Sequence, residues 1–131
     1  MSPTELEMLK FLKVLQFHLS RGKRAYHDYM ENGKLFKYAI IIKNNNLLIH
    51  NMIMREGYLL PSHLEKQLID IISHIDMWLI YWNDLKGKLT PDLNDEFIFD
   101  NDFSFPKKSE RALMGFMSDL IKLKAPSCLN R

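Results

Sequence analysis

The chain has a single cysteine, Cys128, close to its end. A lone cysteine forms no internal disulfide, which suits a reducing compartment. Glycine and proline are sparse, five of each. No glycine-rich loop exists to cradle a phosphate, and each glycine reads as helix punctuation or packing. No run of about 18 apolar residues occurs, so a membrane span is not expected. The opening Met1-Ser2-Pro3-Thr4-Glu5 lacks a basic leader region, and Lys10 and Lys13 interrupt the apolar residues that follow. No cleaved signal is expected, and the expected location is cytoplasmic. The formal net charge is only +2. A dedicated DNA-binding domain carries a strong basic excess, so a nucleic-acid partner is not expected.

What is present is an ordinary globular composition, 47% hydrophobic and 26% charged over 131 residues, which points to one domain spanning residues 1–131. The apolar residues recur with helical period. Ser2-Pro3-Thr4-Glu5 reads as a capping box with proline at the first helical position. The stripe Met8, Phe11, Leu12, Leu15, Leu19, Ala25, Tyr26, Tyr29, Met30 follows, and Asn32-Gly33 stops it. Gly22 lies on that stripe, where it either permits close helix approach or marks a kink. A second helix is expected from about Leu35 to Glu56, with Tyr38, Ile41, Ile42, Leu48, Ile49, Met52 and Ile53 inward and Gly57 at its end. Asn44-Asn45-Asn46 interrupts it, but the apolar phase continues, so one helix is favoured over two. Asn45 falls in the inward phase, where a lone amide fixes helix register or touches a ligand.

Ser62 and Glu65 make a second capping box, opening a third helix with the stripe Leu64, Leu68, Ile71, Ile75, Trp78, Trp82, Leu85 and a stop at Gly87. Residues 77–82 are apolar on every side, more than one bundle seam requires, which suggests either a central helix buried all round or a second interface. Thr90-Pro91-Asp92 suggests a short capped turn. Phe97, Phe99, Phe103 and Phe105 then sit at odd positions, so an extended chain carries them on one side. We read residues 97–106 as a strap over the bundle, its acidic residues outward. A last helix runs from Pro106 or Lys107 to Lys124 with Ala112, Leu113, Phe116, Met117, Leu120 and Ile121 inward. Three helices of roughly 30–40 Å joined by short turns, then a strap and a shorter helix, predict an all-α, antiparallel four-helix bundle with a Phe-rich acidic loop before the last helix.

Chemistry has little footing. His18, His27, His50, His63 and His74 are scattered, and the Glu-x-x-His pairs of bundle metal sites are missing, so no metal and no cofactor are expected. Asp70 and His74 stand at i,i+4, the spacing of an ion pair or an oriented imidazole. Asp92, Asn94, Asp95, Glu96 and Asp100-Asn101-Asp102 lack the order of a calcium loop. No nucleophile elbow is present.

One pattern points to an enzyme. Arg21-Gly22-Lys23-Arg24-Ala25-Tyr26-His27 resembles the Arg-x(4–6)-His motif of the HEPN family, helical bundles that often act as metal-independent RNases. The resemblance covers these seven residues, here on the first helix. It implies His27 as general acid or base and Arg21 as stabiliser of the phosphorane charge. The plainer reading of the segment is a solvated basic surface.

The features left over point to partners. The expected function is therefore a small interaction or regulatory protein that binds and modulates another protein, similar in size and class to immunity proteins, secretion chaperones and anti-regulators, and not an enzyme. Its expected contact residues are Met77, Ile80, Tyr81, Phe97, Phe99, Asp100, Asp102 and Phe103, with a homodimer as a further expectation. Usage rich in Lys, Asn and Ile suits a bacterial or phage source.

Overall fold

The first helix starts as its sequence dictates. In the computed structural model, which describes residues 1–100 and 104–124, the Ser2 hydroxyl accepts the Glu5 amide at 3.1 Å and the Glu5 carboxylate accepts the Ser2 amide at 2.9 Å. Two of the amides that a helix start leaves unpaired are thereby satisfied. Helix α1 runs Pro3–Glu31, α2 Phe36–Glu56, α3 Glu65–Leu89 and α4 Lys107–Lys124. Gly33 at φ +77° turns the chain between α1 and α2. No strand forms among the described residues beyond an isolated antiparallel bridge between Leu35 and Glu96. The Asn44-Asn45-Asn46 run lies inside an unbroken α2.

Two helix ends depart from the sequence reading. Ser62 does not cap α3. It opens a single 3-10 turn, Ser62–Leu64, and α3 starts at Glu65 with Leu64 as a cap that supplies no side-chain bond. Gly87 does not end α3 either. The helix continues to Leu89 and closes on Thr90, a left-handed residue at φ 40° whose amide donates to the Lys86 carbonyl at 2.9 Å. With Pro91 next, the chain cannot go on as helix, so the left-handed turn falls just before it.

Helix α1 packs on α2 and α4, and α3 packs on the same two, so the four form a closed square. Cross-contacts fix the direction of α4. Phe105 meets His74, Ser109 bonds Asp70, and Phe116 meets His63. Numbers that rise along α4 fall along α3, and the two run antiparallel. Helix α4 is 18 residues long against 29 for α1, and it covers only the end of the bundle where α1 starts. There the main core gathers Leu12, Leu15, Ile71, Ile75 and Leu113, all fully enclosed.

At the other end the strap takes the place of the missing helix. Phe97 is wholly buried and packs against Phe36 and Trp82 at 5.1 and 5.0 Å between ring centres. With Tyr29, Ala39 and Trp78 these form a second, aromatic core. Burial of one such ring contributes about 1.5–3 kcal/mol. The residues that lead into the strap also cap α2. Leu35 at its start has no side-chain cap, but the Phe36 and Lys37 amides donate to the Asp95 and Leu93 carbonyls at 2.8 and 3.0 Å. Where the cover is thin, the helical stripes narrow. Tyr26, Met30, Ile41 and Leu48, placed inward by periodicity, are exposed.

Candidate functional site

The expected contact surface divides. Met77, Ile80 and Tyr81 on α3 are 40%, 60% and 47% exposed, while Trp78 and Trp82 of the same stretch face the core. The apolar excess in this stretch therefore lies on the surface. Asp76 beside it bonds His50 of α2 at 2.7 Å, and Lys88 pairs with Asp84 one turn further on at 2.9 Å. Charged pairs thus flank the apolar side chains on both sides, one tied across to α2 and one within α3.

Phe97 does not belong to that surface. It was expected at a contact face and is instead a keystone of the aromatic core, because α4 stops short and a large apolar group must fill the space. Phe99 is half-buried, edge-on to Trp78 at 5.4 Å, and Asp100 is exposed. Asp102 and Phe103 lie outside the described residues. The Tyr29 hydroxyl holds the strap by its backbone: it donates to the Phe97 carbonyl and accepts the Phe99 amide at 3.1 Å. Burial pushes the Tyr29 phenol above its ordinary pKa, which keeps it a donor at any ordinary pH.

Arg21 and His27 are not brought together. Six residues along a helix place them about 9 Å apart in height and about 120° apart in direction. The Arg21 guanidinium turns toward α2 and donates to Asn45 Oδ1 at 3.1 Å, while His27 is exposed. Asn45 is fully buried, as its phase predicts, and its amide nitrogen donates to the His18 carbonyl at 2.8 Å. Gly22 is the reason it fits. A Cβ there would stand 2.9 Å from Asn45 Nδ2, so the glycine serves close approach. Lys23 and Arg24 of the same basic segment pair with Glu110 at 2.9 Å and Asp28 at 3.0 Å.

Asp70 and His74 do not form the pair that their spacing allows. The Asp70 carboxylate accepts from Lys66 at 3.1 Å and from Ser109 at 3.0 Å, and these two bonds hold its carboxyl below the usual carboxylate range. His74 packs its ring on Phe105, and burial pushes its pKa down. Ser109 from α4 outcompetes the histidine for the carboxylate. No group of three or more His, Cys, Asp or Glu that suits a metal ion exists among the described residues. Lys43 lies over the Trp82 ring at 4.6 Å, and burial, aided by nearby Lys86, lowers its pKa.

The sequence reading missed one feature. An open groove of about 420 Å³ lies where α2 turns into α3, lined by Ile53, Leu60, Leu68, Ile72 and the rim residues Met54, Tyr58 and Ile69, with Glu65 at its edge. The apolar Tyr58-Leu59-Leu60-Pro61 in a turn was the available signal, since a turn that only links two helices needs no such side chains. Comparison with protein-family models, curated proteins and solved structures finds no match to this chain.

Proposed function

We propose that the protein is a small interaction module that binds and modulates another protein through the outer face of α3, and that it carries out no chemistry of its own. The observation that carries this reading is the exposure of Met77, Ile80 and Tyr81 side by side on a helix whose core stripe is complete without them. Exposed apolar side chains grouped on one rigid element, with charges at the margin, are the usual anatomy of a contact surface. Half-buried Phe99 and exposed Asp100 extend the face toward the strap. Homodimerisation on the same face and a cytoplasmic setting belong to the proposal. A reducing compartment suits the single cysteine.

The test is differential capture. The tagged chain and an Ile80→Glu variant are each incubated with extract of the native cell, and the recovered proteins are compared by mass spectrometry. A stoichiometric protein held by the parent and lost from the variant supports the reading. Identical recoveries from both, or no protein retained above background, count against it. Ile80 is 60% exposed, so the variant is expected to fold.

A further inference from the structure

We propose that the groove at the α2–α3 turn is an anchor site for a short helical segment of a partner protein, one that inserts bulky apolar side chains and sets a lysine or arginine against Glu65. The inference rests on the protein-binding reading above and gives it a second, chemically defined site.

Shape comes first. The groove is open and apolar, and about 420 Å³ accommodates a few large side chains. Its floor is made by core residues Ile53, Leu60 and Leu68, which are buried. Its rim is the opposite: Met54, Tyr58 and Ile69 are 65%, 81% and 50% exposed. A tyrosine that exposed gains little from its own fold. Tyrosine over a desolvated pocket is a frequent binding hot spot, and methionine adapts its shape to what it meets. Gly57 sets the depth of the groove, because a Cβ at this position would come within 3.2 Å of Leu68 Cδ1 and 3.4 Å of Ile53 Cγ2.

Charge selects the occupant. Glu65 is the charged residue among those lining the groove, and Arg55, Glu56 and Lys66 adjoin lining residues in the chain. Arg55 is taken by Glu56 at 3.7 Å, and Lys66 by Asp70 at 3.1 Å. Glu65 is the one that remains without an ion pair among the described residues, and it lines the groove itself. It is the first residue of α3 and is exposed, so its carboxylate can be reached from the groove. An apolar segment that carries a cation meets both demands, and one that carries an anion meets a repulsive edge. Geometry links the groove to the outer face of α3. Ile69 and Ile80 lie about three helical turns apart on the same side, roughly 16 Å along the axis. One helix of a partner can therefore span both.

The experiment uses the full chain and two fluorescein-labelled model helical peptides. Both share a Leu and Phe stripe and differ only in a Lys or a Glu at the polar position beside it. Binding is followed by fluorescence anisotropy. The Lys peptide is expected to bind roughly five-fold tighter, the worth of a partly exposed ion pair. Glu65→Gln should remove the difference between peptides while some binding stays. Ile69→Asp, a change at an exposed position, should abolish binding of both. Equal affinities on the parent chain, no binding of either peptide, or binding indifferent to Ile69→Asp overturn the proposal. If Ile80→Glu abolishes peptide binding and Ile69→Asp does not, the groove is not the anchor and the outer-face reading stands. If differential capture fails while the peptides behave as expected, the groove stands and the outer face does not.

Discussion

Asn45 of α2 rests directly on Gly22 of α1, so close that a Cβ on the glycine would stand 2.9 Å from the amide nitrogen. The amide has no freedom to retreat, because it is held by His18 on one side and Arg21 on the other. Glycine inside a helix ordinarily costs about 0.5–1 kcal/mol relative to alanine. Here the sign reverses. Gly22→Ala should lower stability by about 1–3 kcal/mol, since the buried amide must break a bond to move. Chemical denaturation of Gly22→Ala, Asn45→Ala and the double variant checks this. The double variant should be more stable than the sum of the singles predicts. Additive losses would show that the two residues are independent.

Tyr29 should matter for its hydroxyl as much as for its ring. Tyr29→Phe keeps the aromatic packing and removes both bonds to the strap, at an expected cost of about 1–3 kcal/mol. Hydrogen exchange gives the sharper readout. Because Leu93 and Asp95, just before the strap, supply the carbonyls that cap α2, the Phe36, Lys37 and Phe99 amides should exchange faster in the variant. Amides of α4 in the main core should not change. Uniform acceleration across the chain would place the effect on global stability and not on the strap.

How much of this was legible in the sequence follows from which forces act locally. The Ser2–Glu5 capping box, the continuity of α2 through its three asparagines and the inward position of Asn45 depend on neighbours within a turn or two, and periodicity shows them. The lost Asp70–His74 pair depends on Ser109, remote in sequence. Phe97 went into the core because α4 is too short to cover the far end of the bundle, a fact about relative helix lengths and not about the Phe-rich segment. The capping of α2 by the Leu93 and Asp95 carbonyls is likewise invisible, since backbone groups leave no mark on the residue pattern. The apolar excess at Met77, Ile80 and Tyr81 was legible, because it exceeds what one core stripe holds, but its place on the surface and not inside a central helix was not. The groove left only a compositional trace, the apolar Tyr58-Leu59-Leu60-Pro61 turn, because turn residues have no period to read.

Thr90 offers a stabilising substitution. It is a β-branched residue in the left-handed region, φ 40° and ψ 57°, a conformation that costs most non-glycine residues about 1–2 kcal/mol. Its amide bond to Lys86 needs no side chain. Thr90→Gly should therefore relieve the strain. Part of the gain is offset by the greater freedom of glycine in the unfolded chain, which leaves about 1 kcal/mol, visible as a rise in Tm. A fall in Tm would mean that the threonine side chain holds the chain as it leaves α3.

His74 should make the fold sensitive to mild acid. Burial lowers its pKa from the usual 6.5, so the unfolded chain takes up the proton more readily than the folded one. Stability linked to this group is fully present above about 6.5 and is lost as pH falls toward the lower folded value. Below that value both states are protonated and the loss stops growing. His74→Phe keeps a ring against Phe105 and has no proton to bind. The difference in unfolding free energy between parent and variant, measured by urea denaturation from pH 8 to pH 5, isolates this one group from every other titration in the chain. The parent should lose stability relative to the variant as the pH drops below neutrality. A difference that stays constant over the range would show that the ring titrates alike in both states, and that its burial does not disfavour the charge.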